Sequence, residues 1–222
     1  MFNRHLINIL GIAVFSLCSC ASAALTNIGL LKLQLKQYHD SGSYQQDLAH
    51  QIKQAQKYLA NRIQAYKPGA KAKKLAIVLD IDETSISNYE QITALDFGGT
   101  YEQEHTLYLK GNTPAIKPTL ELFNFAKEHG VSVFFVTGRP EAHRDITIKS
   151  LQTAGYQGWT DLYMKDNNYK QHSIVPFKSS TRQTIEKNGY DIVLSMGDQV
   201  SDLQGGHADK TFLLANPFYY LP

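Results

Sequence analysis

Apolar residues along this chain fall into two kinds of pattern. Leu48, Ile52, Ala55, Leu59 and Ile63 recur at helical spacing, so residues 44–66 read as one amphipathic helix, stopped by Lys67-Pro68-Gly69. The segment before it, residues 25–38, also reads as helical. The pattern then changes. Leu75-Ala76-Ile77-Val78-Leu79 is a short unbroken apolar run, as expected of a strand covered on both faces in a parallel sheet. Beyond Pro118, helical and strand patterns alternate. Residues 119–129, 141–153 and 178–188 predict helices, closed by Gly130, Gly155 and Gly189. Residues 131–136, 162–164, 192–195 and 211–214 predict strands. Such alternation predicts an α/β fold, a doubly wound parallel sheet with an N-terminal helical segment. Residues 84–116 lack a clean period and carry Gly98, Gly99, Gly111 and Pro114. They read as a small cap inserted into a single domain spanning residues 24–222.

The first residues follow a different logic. Arg4 precedes an apolar run over residues 6–17, interrupted by Asn8 and Ser16, and Ala21-Ser22-Ala23 fits a signal peptidase site. Residues 1–23 therefore read as a signal peptide, too short and wrongly flanked for a transmembrane span. The expectation is an exported protein, periplasmic or secreted. Both cysteines, Cys18 and Cys20, fall in this leader, so the body has neither disulfide nor thiol chemistry. Leu17-Cys18-Ser19-Cys20 also loosely resembles a bacterial lipobox. On that alternative Cys20 is lipidated and the protein is anchored to the outer membrane. Cys18 is atypical there, which favours free release. Composition narrows the partners. The 222 residues are 43% hydrophobic and 19% charged, so the body reads as globular, and a formal net charge of +2 gives no reason to expect a surface for a nucleic-acid polymer.

Polar residues cluster directly after the predicted strands. Asp80 and Asp82 follow the first, Thr137 ends the next, and Asp198 and Asp202 follow a third. In an open α/β sheet the ligand site lies at the carboxyl ends of the strands, so separate segments deliver these groups to one edge. Asp80 and Asp82, two apart on a continuing strand, would share a face and repel each other, and a cation is expected near them. Several carboxylates without a Cys or His cluster suit Mg²⁺. One carboxylate can attack phosphorus while a second exchanges protons with the leaving group and with water. Lys178, at the start of its helix, can offset the negative charge of a phosphate ester.

Four segments then carry a resemblance. Asp80-Ile81-Asp82-Glu83-Thr84, Val136-Thr137-Gly138-Arg139, Lys178, and Gly197-Asp198-Gln199-Val200-Ser201-Asp202-Leu203 stand in the order of the haloacid dehalogenase (HAD) motifs. They resemble most the subfamily IIIB acid phosphatases, the bacterial class C enzymes and the plant acid phosphatase and vegetative storage proteins. The resemblance implies a Mg²⁺-dependent phosphatase acting on small phosphomonoesters, nucleoside 5′-monophosphates among them, through an aspartyl-phosphate. It implies Asp80 as nucleophile and metal ligand. Asp82 would be acid/base and give the metal its backbone carbonyl. Thr137, Gly138 and Lys178 would hold the phosphoryl group. Asp198 would be a direct metal ligand, and Asp202 a ligand through water or a partner for Lys178. Arg139 would orient the site or pair on the surface. Tyr89, Phe97, Tyr101 and Tyr108 would line a substrate pocket or pack the cap. His105, His143, His172 and His207 would be surface or structural. A non-catalytic storage protein on the same scaffold is the alternative, disfavoured by the intact Asp80 and Asp82. Ile86-Ser87-Asn88 and Val200 depart from the usual pattern of these relatives.

Overall fold

A computed structural model describes residues 27–69, 72–100, 102–103, 106 and 113–222. The expected leader with both cysteines, and Tyr101, His105, Tyr108 and Gly111, lie outside the described residues. Helix α1 (Ile28–Asp40) is capped by Asn27, whose side chain accepts from the N–H groups of Gly29 and Leu30. Helix α2 (Ser43–Ala65) buries Tyr44, Leu48, Ile52, Ala55 and Leu59, the stripe that the spacing predicts. Among the described residues, no helix is long and apolar enough to cross a membrane.

Strand β1 (Lys74–Leu79) is the centre of a five-stranded parallel sheet. After it come α3 (Tyr89–Ala94), α4 (Lys117–Glu128), β2 (Ser132–Pro140), a short 3₁₀ turn (Glu141–His143) and α5 (Arg144–Thr153). Then follow β3 (Asp161–Lys165), α6 (Val175–Lys187), β4 (Tyr190–Gly197), α7 (Val200–Leu203) and β5 (Thr211–Leu213). The strand order is β3-β2-β1-β4-β5. The chain thus winds outward from β1 in one direction, then crosses back to lay β4 on its other side. That reversal opens a crevice beyond the carboxyl ends of the strands, where α/β sheets of this kind bind ligands.

Residues alternate between the two faces of β1, as its unbroken apolar run requires. Leu75, Ile77 and Leu79 join the core formed with α2 and α4. Ala76 and Val78 pack with Phe134, Val136, Ile185 and Ile192 on the opposite side, under α6.

One boundary differs from expectation. Helix α6 begins at Val175, with Pro176 in its first turn, so Lys178 sits about one turn inside the helix. The two ends of the segment between β1 and α4 are joined to each other. Ile86 is fully buried and bridges Ala115, while Ser87 N–H donates to Pro114 O (2.9 Å) and Ile116 N–H to Ser85 O (2.9 Å).

Candidate active site

The site grows from the ends of β1, β2 and β4. Asp80 follows β1 directly, and its N–H donates to Met196 O (2.9 Å), which fixes it against β4. The chain then turns sharply, with the N–H groups of Ser85 and Ile86 donating to Ile81 O and Ser85 Oγ donating to Asp80 O (2.6 Å). This turn, rather than a continuing strand, separates the two acids. Both acids nonetheless face the same cavity.

Asp80, Asp198 and Asp202 each bring a carboxylate oxygen within 4.8 Å of the other two. Lys178 lies among them. Its Nζ donates to Asp80, to Asp202 Oδ1 (2.8 Å) and to Val136 O (2.8 Å). Burial opposes the charge of Lys178, but Asp202 and Asp80 outweigh it and raise its pKa above the usual lysine range. Burial, with the charges of Asp202, Asp198 and Asp82, pushes Asp80 well above the carboxylate range against the pull of Lys178. Asp198 is pushed up to about 6 by burial and by Asp202, despite hydrogen bonds from Asn216 (2.7 Å) and Gln199 (2.7 Å). One lysine does not balance three buried carboxylates, and the donor set, all hard oxygen, fits a divalent cation. Asp202, expected at one remove from the ion, belongs to this cluster as well as to Lys178.

Gly197 makes room for that arrangement. A Cβ there would stand 2.5 Å from the Cβ of Asp202, so only glycine lets the β4 end and α7 close together. Asp202 also accepts from Gln199 N–H (3.0 Å) in a reciprocal cap.

The carboxylate of Asp82 is not one of the three that converge in the cluster. It is held by Arg139 in a two-pronged ion pair, Nε to Oδ2 (2.9 Å) and Nη2 to Oδ1 (2.6 Å), and by Asn88 Nδ2 (2.8 Å). Burial works against its charge, but Arg139 and Asn88 outweigh it and hold Asp82 below the usual range. Arg139 is thus a buried partner of the second acid. Thr137 is fully buried, and its hydroxyl accepts from Arg139 N–H (3.1 Å). It lies at the same strand end, but Gly138 and Arg139 form the wall beside it. A Cβ on Gly138 would meet only Ile174, at 3.7 Å, so packing within the protein does not demand glycine there.

These groups open into a cavity of about 340 Å³ lined by Asp80, Asp82, Lys178, Asp198 and Asp202. His143, His172, Lys165 and Tyr169 also line it, so two histidines expected to be surface or structural border the site. A second cavity, of about 270 Å³, adjoins it through Asp82, Tyr219 and Leu221, and is lined also by Phe97, Ile92 and Phe218. Phe97 thus reaches a pocket, whereas Tyr89 stacks on His39 (interplanar angle 11°). Glu83, Asn88, Gln199, Asn216 and Tyr219 touch the site acids or their partners and were not among the residues expected there. Only Glu83 and Gln199 lay inside a recognised motif.

A family model for the HAD superfamily, subfamily IIIB (acid phosphatase), matches residues 19–222. The chain belongs to that subfamily. Among relatives of this IIIB chain, the stem 28 kDa glycoprotein of Glycine max is 36% identical over 155 residues, covering 67% of this chain and 61% of its own length. Acid phosphatase 1 of Solanum lycopersicum is 32% identical over 148 residues, covering 65% and 58% respectively. The match thus spans about six-tenths of those relatives. The class C acid phosphatase from Bacillus anthracis shares the IIIB fold, with a TM-score of 0.72 at 20% identity over 87% of this chain and 86% of its own.

Proposed function

We propose that this IIIB protein hydrolyses small organic phosphomonoesters in a Mg²⁺-dependent reaction through an aspartyl-phosphate on Asp80. One observation carries the reading: two acids from one turn are given opposite surroundings. Asp80 sits with Lys178 among the clustered carboxylates, while Asp82 is turned away onto Arg139. Lys178 and a divalent cation in that cluster would keep Asp80 ionised for attack against the effect of its burial, while the carboxylate of Asp82 stands outside the cluster and can exchange protons.

A carboxylate oxygen of Asp80 attacks phosphorus, and the bond from phosphorus to the ester oxygen breaks. Asp82 gives its proton to that oxygen, releasing the alcohol. Asp82 then takes a proton from water as the water oxygen attacks phosphorus. The bond to Asp80 breaks, orthophosphate leaves, and both acids return to their starting states. Lys178 neutralises charge on Asp80 and on the phosphoryl group. Mg²⁺ held by Asp80, Asp198 and Asp202 would supply further charge stabilisation at the phosphoryl oxygens.

Asp82 can donate only when protonated, and Arg139 keeps its pKa low, so the working range falls on the acid side. The aromatic cavity beside Asp82 suits a planar leaving group such as a nucleoside, consistent with nucleoside 5′-monophosphates. The leader pattern supports export, with freely released protein favoured over an anchor at Cys20. The test is phosphate release from an aryl phosphate, with Mg²⁺ and after chelation. Turnover abolished by chelation and restored by Mg²⁺ is expected. Binding of phosphate without release, on a broad panel of esters, would support the storage reading instead.

A further inference from the structure

Glu83 has no place in the reaction above, yet its setting is unusual. It is 1% exposed, and its backbone adopts a left-handed conformation, φ 49°, at a residue that is not glycine. Such a conformation is strained for an L residue and persists only where other contacts hold it. Here the contacts tie two distant segments together. One oxygen of Glu83 accepts from Asn88 N–H, and the other accepts from Asn88 Nδ2 (3.2 Å) and from the hydroxyl of Tyr219 (3.1 Å). The same Asn88 amide nitrogen donates to Asp82.

Tyr219 belongs to a C-terminal segment, residues 216–222, that lies along the mouth of the site. Asn216 Nδ2 donates to Asp198 (2.7 Å). Leu221 N–H donates to Gln199 Oε1 (3.1 Å), Ser201 Oγ donates to Leu221 O (3.1 Å), and Ile174 N–H donates to Pro222 O (3.3 Å). Tyr219 and Leu221 line both cavities. Most of these bonds run to the edge of β4 and α7. The bond from Tyr219 to Glu83 joins the segment to the Asp82 turn.

We propose that Glu83 is a positioning residue, a clasp that fastens the 216–222 strap over the leaving-group side of the site and, through Asn88, aims the carboxylate of Asp82. The inference rests on the proposed role of Asp82 as the leaving-group acid. Closing the strap and aiming the acid become one event, because both depend on the same carboxylate. A leaving group seated against Tyr219 would then meet a correctly turned proton donor.

The experiment compares wild type, Glu83→Gln, Tyr219→Phe and the double variant on p-nitrophenyl phosphate and on a simple alkyl phosphate. An acidic phenol leaves without help, whereas an alcohol needs the proton. In Glu83→Gln, kcat should fall at least about tenfold further on the alkyl ester than on the aryl ester. Tyr219→Phe keeps the ring and loses only the clasp, so KM should rise several-fold on both esters, and adding Glu83→Gln should raise it little more. Amide exchange over residues 216–222 should quicken in both single variants. Equal losses on the two esters in folded Glu83→Gln would overturn the aiming role, because a merely structural residue costs both alike. Unchanged KM and unchanged exchange in Tyr219→Phe would overturn the clasp, even if Glu83→Gln fails to fold. A wild type that releases no phosphate from either ester would instead count against the role of Asp82, and exchange alone would then decide the clasp.

Discussion

Asp82 and Arg139 show how a single pairing sets a working range. The guanidinium holds Asp82 ionised to lower pH than an ordinary carboxyl group. Removing that charge raises the pKa of Asp82, so Arg139→Met should move the alkaline limb of the kcat profile upward by about one unit. An unmoved limb would show that another group donates the proton. Asp80→Asn keeps the shape of the side chain and removes the nucleophile, and kcat/KM should fall on the order of a thousandfold or more. Retention of most activity would sink the assignment. Asp80, Asp82, Asp198 and Asp202 were legible in the sequence because each follows an apolar run that marks a strand end. The link from Arg139 to Asp82 was not, since it spans 57 positions and no periodicity records it. Glu83 was visible only as a letter in a motif, because a left-handed φ leaves no trace in hydropathy.

At the scale of elements, the close approach of β4 and α7 is the most demanding contact. Gly197→Ala would drive a Cβ into Asp202, so that either the backbone shifts or Asp202 leaves the acidic cluster. Overpacking of this kind costs roughly 1–3 kcal/mol. Denaturant unfolding should show that loss, and titration should show weaker Mg²⁺ binding. Full stability with unchanged binding would contradict the arrangement. The core strands β1, β2 and β4 were readable from their apolar runs, and α2 from its stripe. Helix α6 starts three residues before its expected bound, because Pro176 is pre-set for a first helical turn. The strap at 216–222 has no regular pattern. Several of its bonds use backbone groups, which every residue carries, so its place over the site is a tertiary fact.

At the scale of the whole molecule, the acidic cluster couples ion binding to stability. Asp198 has a pKa of about 6 against 3.8 for an ordinary Asp, and Asp80 is raised as well. A carboxyl group whose folded pKa is raised favours the folded state below its unfolded pKa. That contribution is lost as pH climbs toward the folded value, at about 1.4 kcal/mol per unit. Without Mg²⁺, these groups should therefore weaken the protein between pH 4 and pH 6. Mg²⁺ binds the ionised form, so the rise in Tm that it produces should grow over the same interval. Thermal unfolding with and without Mg²⁺ across that range checks this, and a Tm difference independent of pH would contradict it.

The measurement that bears most directly on the account is acid quenching during turnover, followed by mass spectrometry of the peptides. A phosphoryl group carried by Asp80, and absent in Asp80→Asn, is the predicted result. Phosphate release at full rate with no phosphoryl group on Asp80, or with one on another residue, would contradict it.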